Sequence, residues 1–476
     1  MLSTNLVSGA ALLCLIPGLS AINIDIGAYL PSAILTRDVA IIGGGSSGTY
    51  AAVQLKRAGK TVALVEKEAQ LGGHVDTYKD PQTGKTFDYG VVVYLNTSTV
   101  RNYVTSLGES LTAFPFFTGT NAYADFKGTG QFLNLPAPDQ AATFAALQGY
   151  RTEISKYPFL DNGYNLPSPV PADLLLPFGD FLTKYNLQLF APTAFKINQG
   201  VGNLLAATTL YMLKYLPKTT IDAFLGLAPP VVTSSTFNFQ ALYNKAQAYL
   251  TPSSALVSSN VLAISRVGPR VLVAITTPTG PKLIIAKKLL IAIQPKLSSL
   301  QALNIDLAPS ETQIFTQFNN SYYWDVVIKN SGLPANTDIT NVDPAAPMGI
   351  PPLPGLYGFS TPPIGNNHIT TWYGSPYPLT DAQVKANVLA TVNKLVTANN
   401  LASPPPTPQI VGFNSHNPFW LSVPPATIAS GFYNQLNALQ GKKNTFWTGA
   451  TFASHDSSAI WEWSETELLP QLKASL

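Results

Sequence analysis

DVAIIGGGSSGTYAAVQLKRAGKTVALVEKEAQLGGHVDTY, residues 38–78, is the stretch that decides the fold. Val39 to Ile42 form a short apolar run of the kind a buried parallel strand requires, and it stops at a glycine-rich turn. Gly43-Gly44-Gly45-Ser46-Ser47-Gly48 then follows the spacing G-x-G-x-x-G. In that pattern Gly43 permits the tight turn, Gly45 lets a pyrophosphate approach the backbone, and Gly48 lets the next helix pack closely on the strand. Residues 47–58 have helical periodicity, with Ala51, Ala52, Leu55 and Ala58 on the inner face and Gly59 as the stop. Unpaired N–H groups at the start of that helix, where Ser46 and Ser47 stand, point at the anion. A second strand, Thr61 to Val65, ends at Glu66, about 20 residues beyond the glycines, where a carboxylate can accept both hydrogen bonds of a ribose diol. A lone glycine motif would fit a structural turn equally well; strand, turn, helix, strand and acid in this order predict a dinucleotide site.

Leu71-Gly72-Gly73-His74 follows the second strand. This second glycine pair resembles the extended fingerprint of amine-oxidase and glutathione-reductase-like flavoproteins, where it runs beneath the FAD, and which NAD-dependent dehydrogenases generally lack. The resemblance implies FAD, with Gly72 and Gly73 along the cofactor; His74, next to Gly73, could contact the pyrophosphate region, a surface position being the alternative. Asp88-Tyr89-Gly90-Val91 looks like the same group's segment beside the flavin, where Gly90 would let the chain pass close to the ring; an ordinary turn is the alternative.

Such a fold is discontinuous, so later stretches should return to it. Asn260-Val261 begin a strand, Arg270 to Thr276 and Lys282 to Ile285 read as a hairpin around Thr279-Gly280, and Lys288 to Ile293 follow as a further, buried strand. In the resembling group the counterpart of Val261 holds adenine through its backbone; an unrelated β-meander is the alternative. The last return is a strand at 444–450 ending on Gly449 and Ala450, then a helix opened by Asp456-Ser457-Ser458. Asp456 or Ser457 can cap it, and its positive end, with Gly449 and Ser458 nearby, can stabilise negative charge on the flavin's N1/O2 edge.

NTFWTGATFASHDSSAIWEWSE (444–465) and LGGHVDTY (71–78) together resemble the fungal β-cyclopiazonate dehydrogenase family of FAD-dependent oxidoreductases, a branch of the amine-oxidase superfamily. The likeness covers most of 37–474, while its specific motifs are confined to the FAD-binding segments. It implies an α/β fold: an FAD-binding Rossmann-like domain of glutathione-reductase/amine-oxidase type from 37–95, 246–299 and 441–474, with an inserted mixed α+β substrate domain from 96–245 and 300–440. It also implies an oxidase or dehydrogenase that moves hydride from a small hydrophobic substrate, of the secondary-metabolite kind, to flavin N5. Bacterial relatives of similar organisation isomerise double bonds in fatty acids, so a flavin-dependent isomerase of a fatty acyl or terpenoid substrate stays open, as does a non-catalytic flavin-fold protein. Many amine oxidases of the superfamily place a Lys near N5. Here the corresponding region reads FNNSYYWDVVIKN (318–330), with Lys329 out of register, which counts against a simple amine oxidase.

Composition narrows the partners. The 476 residues allow two or three domains of roughly 100–200 residues. Only 11% are charged, and the net charge of +3 is spread without a basic run, which excludes the stripe of a nucleic-acid binder and a polybasic membrane patch. The insertions are rich in Phe and Leu, with helices expected near 138–156, 178–187 and 200–216. Such a lining suits a terpenoid, indole, polyketide or fatty acyl substrate, with O2 as a candidate electron acceptor. Residues 5–21 are uncharged, interrupted by Pro17 and end in small residues, so they read as a secretory signal peptide (1–21) rather than a stable membrane span. Sequons at Asn96 and Asn319 fit a secreted glycoprotein. The single cysteine, Cys14, lies inside the leader, and His74, His368, His416 and His455 are scattered, so no metal site is expected.

Candidates for chemistry are fewer. Tyr323, Trp324, Trp372, Tyr373 and Trp461 could form an aromatic cage facing the flavin, or equally serve as core. His455, at the mouth of the last helix, could stabilise reduced flavin or move a proton.

Overall fold

The computed structural model describes residues 22–115, 119–136, 139–363, 367–402 and 406–476. The expected leader, with Cys14, lies outside them. The first strand, β1 (Ile34–Ile42), begins earlier than its apolar run: only the last four residues are buried, and the first five are half-exposed or exposed. They stay extended because a long partner, Gly280–Ile291, runs beside them in parallel from Ile34↔Leu283 to Ile42↔Ile291. Helix α1 (Ser46–Arg57) and strand β2 (Val62–Val65) follow as the pattern predicts.

The main sheet has the order Ala255–Leu256, β2, β1, Gly280–Ile291, Val271–Thr277, Asn260–Ser265, with Thr445–Trp447 also paired to Gly280–Ile291. The hairpin arm and the separate buried strand expected from the sequence are one 12-residue strand. Its lysines have partners: Lys287 sits 2.8 Å from Asp38, and Lys288 donates to Asn444 Oδ1 at 2.9 Å. Along one edge the strand follows β1. Along the other it pairs antiparallel with Val271–Thr277 up to Ala286 and then parallel with Thr445–Trp447 from Leu289. The edge left free by the hairpin is therefore the slot that receives the C-terminal return.

A buried ionic cluster locks that return in place. All five donors of Arg266 are used: on Asp306 (side chain and carbonyl), on both oxygens of Glu311, and on Thr445 Oγ1. Lys443 adds a bond to Asp306 Oδ2 at 2.8 Å.

The second sheet has the order Gln409–Ser415, Tyr322–Lys329, His368–Ser375, Gly355–Ser360, Thr337–Asn341, Thr120–Ala124. Because successive side chains of a strand alternate between faces, Trp324, Val326, Ile328 and Tyr373 pack on Val384, Val388, Val392 and Leu395 of helix Asp381–Ala398. Tyr323, Tyr357 and Trp372 emerge on the opposite face and join the apolar core that continues into the first sheet. Helices Gln140–Ile154, Phe178–Lys184 and Thr209–Tyr215 occupy the expected places. The third is shorter than predicted, since Gly200 and Gly202 take positive φ and Leu204–Ala206 is a 3-10 turn. Among the described residues no helix is long and apolar enough to cross a membrane.

Candidate cofactor and active site

At the dinucleotide end, the glycines are set by close approach. A Cβ on Gly48 would stand 1.9 Å from the Gly43 carbonyl oxygen and 3.0 Å from Ala292 Cβ, so only glycine lets α1 sit this near the strands. The second glycine pair packs against the first turn: Gly72 N–H donates to Gly44 O at 2.9 Å, and a Cβ on Gly73 would come 2.8 Å from Gly45 Cα. Gly45 differs. A Cβ there would meet nothing nearer than Gly73 Cα at 3.7 Å, and the residue has ordinary φ of −69°. It stands at the start of α1, where free N–H groups and the helix dipole favour an anion. Ser47 is buried beside it, and a Cβ on Gly449 would lie 3.7 Å from Ser47 Oγ, so the C-terminal return arrives at the same helix start.

Glu66 is buried; its Oε2 accepts from Gly44 N–H at 2.6 Å and its Oε1 from Glu68 N–H at 2.8 Å. Each oxygen keeps a lone pair for a ribose hydroxyl. Ser259 N–H donates to the Glu66 carbonyl at 2.9 Å, which brings half-buried Val261 to the same end. The cradle at Gly45, the buried carboxylate and the aimed helix start fit the pyrophosphate and ribose of FAD. Glu66→Ala is expected to weaken FAD affinity roughly ten- to a hundredfold, since charge-assisted bonds are worth about 1.5–3 kcal/mol each. Ultrafiltration of the loaded protein measures this, and unchanged retention would remove Glu66 from the site.

At the ring end, Tyr89 N–H donates to Asp76 O at 2.8 Å and Val91 N–H to His74 O at 3.1 Å. A Cβ on Gly90 would stand 2.4 Å from His74 O, so this glycine is required by the packing of 89–91 on 74–76 rather than by a turn. Asp88 caps helix Phe239–Leu250, both oxygens accepting from Phe239 N–H at 3.0 Å, and burial raises its carboxyl to about 7. His74 keeps open surface, and it lies in a recess between the glycine-pair segment and the second sheet; its ring lies 4.3 Å from that of His416 and 5.6 Å from that of Phe419. His455 stands nearby, with its ring 5.2 Å from Phe419 and 5.8 Å from Tyr215. Burial drives His455 down to about 3, and burial, with the charge of His416 adding to it, holds His74 well below its ordinary range. Both are neutral imidazoles, able to accept a hydrogen bond but carrying no charge with which to stabilise an anion.

Tyr323 reaches the wall of this recess: its ring packs 4.8 Å from Phe419 and 5.9 Å from His416, and its hydroxyl donates to Gln199 Oε1 at 2.9 Å. Trp372 is on the same face and donates to Tyr89 O at 3.0 Å. Trp324 and Tyr373 do not belong to a cage. Each is the strand neighbour of a site-facing residue and therefore points the other way, Trp324 donating to Asp381 Oδ1 at 2.9 Å and Tyr373 accepting from Asn387 at 3.0 Å. Trp461 is also corrected. It is wholly buried, stacked between Tyr50 (5.3 Å) and Tyr94 (5.0 Å), and its N–H donates to Ser46 Oγ at 3.0 Å, so it anchors the helix start. Ser458 Oγ accepts from Leu95 N–H at 2.9 Å, which commits it to the chain, while Asp456 caps its helix as expected, accepting from Ala459 N–H at 2.8 Å.

The sequence reading missed Asp76, Asp325 and His416. His416 Nε2 lies 3.0 Å from Asp325 Oδ2 and 3.3 Å from Asp76 Oδ2, so histidines scattered along the chain are not isolated in space. One signal was available: Asp325 is a lone charge in the apolar strand YYWDVVI, at an inward position.

A family profile described as an NAD(P)-binding Rossmann-like domain matches residues 41–107. An FAD-dependent oxidoreductase of Cochliobolus heterostrophus, oblC, is 38% identical over 93% of this chain and 92% of its own. β-Cyclopiazonate dehydrogenase of Aspergillus oryzae is 34% identical over 93% of this chain and 94% of its own. Among solved structures, a CLA-producing fatty acid isomerase from P. acnes superposes with a TM-score of 0.73 at 18% identity, covering 91% of this chain and 98% of that one. A putrescine oxidase superposes with 0.64 at 14%, covering 93% and 100%.

Proposed function

The chain belongs to the family of fungal FAD-dependent oxidoreductases that includes β-cyclopiazonate dehydrogenase, and from that premise we propose that it oxidises a small, hydrophobic, secondary-metabolite type substrate held between the second sheet and the glycine-pair segment. When bound, FAD supplies the two-electron acceptor. The observation that supports this reading most is the convergence of His74, His455 and Tyr323 on the ring of Phe419. Those rings exclude water and press a flat substrate into place, while Trp372, tied to Tyr89 O, fixes the segment behind Gly90. The neutral imidazoles are groups positioned to accept a hydrogen bond from a substrate N–H or O–H. O2 is the electron acceptor in this reading.

The test is an anaerobic screen of the FAD-loaded protein against small hydrophobic metabolites, watching the flavin band at ~450 nm. A substrate is expected to bleach the band, with recovery on admitting air. The likeness to a fatty acid isomerase favours a second reading, in which hydride returns to the same molecule; product formed without bleaching or oxygen uptake would replace the first reading by that one.

A further inference from the structure

Asp76, Asp325 and His416 meet beside the recess from three distant parts of the chain, and neither the cofactor cradle nor the aromatic wall uses them. Asp76 stands two residues after His74, Asp325 lies on the inner face of the second sheet two residues after Tyr323, and His416 follows strand Gln409–Ser415. One polar atom from each lies within 4.8 Å of those of the other two. His416 Nε2 has a single proton and gives it to Asp325 Oδ2. Asp76 Oδ2 and Asp325 Oδ1 are then buried oxygens without a hydrogen-bond partner, although Asp325 is completely enclosed.

The charge count explains what is missing. An imidazolium with two carboxylates leaves one net negative charge in the interior, which a low-dielectric surrounding resists. The neighbouring groups do not cancel it. His74, packed on His416, and His455, beyond Phe419, are neutral. Tyr323 and Tyr89 are driven upward by burial and stay protonated, and Asp88, beyond Asp76, can only add negative charge. One further proton on the carboxyl pair removes the imbalance. In keeping with this, burial raises Asp325, with Asp76 adding to the effect and His416 opposing it, and the two carboxylates raise His416 against its own burial.

We infer that Asp76, Asp325 and His416 form the proton-accepting unit of this active site, a carboxyl pair over an imidazolium that takes up the substrate's departing proton. The inference rests on the oxidoreductase reading above. In the oxidation the substrate C–H bond breaks with its electron pair moving, as hydride, to the cofactor. The neighbouring X–H bond breaks, its electron pair closes the new C=X bond, and its proton passes to the carboxyl pair. Atoms and charge then balance with FAD as the only oxidant. His74 stands beside them, open to the recess, and the three hold the proton and position it.

The experiment needs no substrate. Photoreduction of the FAD-loaded protein adds negative charge to the site, and an infrared difference spectrum at about pH 7 reports whether a carboxyl becomes protonated. The expected result is a protonated-carboxyl band that appears on reduction, shifts in D2O and shifts again with 13C-labelled aspartate. It should vanish in Asp325→Asn, which should also take up about one proton fewer per FAD reduced, by the coupled-titration argument. Absence of the band in wild-type protein overturns the inference whether or not the variant folds, as does its persistence in Asp325→Asn. One equivalent of tightly bound metal at these side chains would overturn it as well. FAD content is read first by absorbance: a colourless preparation sinks the cofactor reading and this inference with it, whereas a yellow protein without the band sinks the inference alone.

Discussion

Gly45→Val is expected to fold normally and to bind FAD roughly a hundredfold more weakly, about 2.7 kcal/mol, whereas Gly48→Val is expected to lose both fold and cofactor. The two glycines belong to the same motif and differ in what surrounds them. Around Gly45 the backbone angles suit any residue and an added Cβ makes only an ordinary contact, with Gly73 Cα at 3.7 Å, so the fold accommodates it. What it fills is the opening at the head of α1 where a pyrophosphate would lie. At Gly48 the same Cβ is driven to 1.9 Å from Gly43 O, a backbone atom that cannot yield without separating α1 from β1 and from Gly280–Ile291. Circular dichroism and FAD titration of the two variants distinguish the outcomes. If Gly45→Val holds FAD like the wild type, the pyrophosphate does not sit at this turn.

The second large effect concerns stability. Arg266→Met is expected to destabilise the fold by about 3–5 kcal/mol, because removing one member of a buried ion cluster leaves the others as uncompensated charge. Arg266, Asp306 and Glu311 are essentially inaccessible, and Glu311 Oε2 also accepts from Ala308 N–H at 2.8 Å, so neither carboxylate can turn toward water. Lys443 is half-exposed and satisfies only Asp306. Since the cluster fastens Thr445 beside Gly280–Ile291, the loss should release the C-terminal return, and with it Gly449 and His455, before the glycine turn unravels. Hydrogen exchange at 445–447 reports that order. A midpoint shift in urea of no more than a few tenths of a kcal/mol would show that the cluster contributes little.

Much of the cofactor end was written in local sequence because its requirements are local. A strand, a glycine turn, a helix and an acid within about 40 residues form one unit whose spacing is fixed by backbone geometry. Gly43, Gly45, Gly48 and Glu66 were legible for that reason, and Asp456 could be placed as a cap from its own neighbours. Resemblance supplied the second glycine pair, whose reason appears only in three dimensions, where Gly73 presses on Gly45 Cα.

The ring end was read less well. Tyr323-Trp324 and Trp372-Tyr373 are adjacent aromatic pairs, and alternation along a strand allows only one of each pair to face the site. Sequence could have said that one must be discarded, but not which, because the choice depends on which face helix Asp381–Ala398 covers. Trp461 likewise was an aromatic beside the flavin-closing helix until Tyr50, Tyr94 and Ser46 closed around it.

By itself the sequence determined the strand–turn–helix–strand unit of the α/β cofactor domain and marked Gly43, Gly45, Gly48 and Glu66 along it as candidates to meet a dinucleotide, since these follow from periodicity and spacing over short distances, whereas resemblance supplied the returning pieces. Only the tertiary structure decided that Gly280–Ile291 is one strand serving two partners, that Arg266 binds the pieces together, and that Asp76, Asp325 and His416 converge. These contacts join residues scores to hundreds of positions apart, and no local pattern records a distance that exists only after the two sheets have packed.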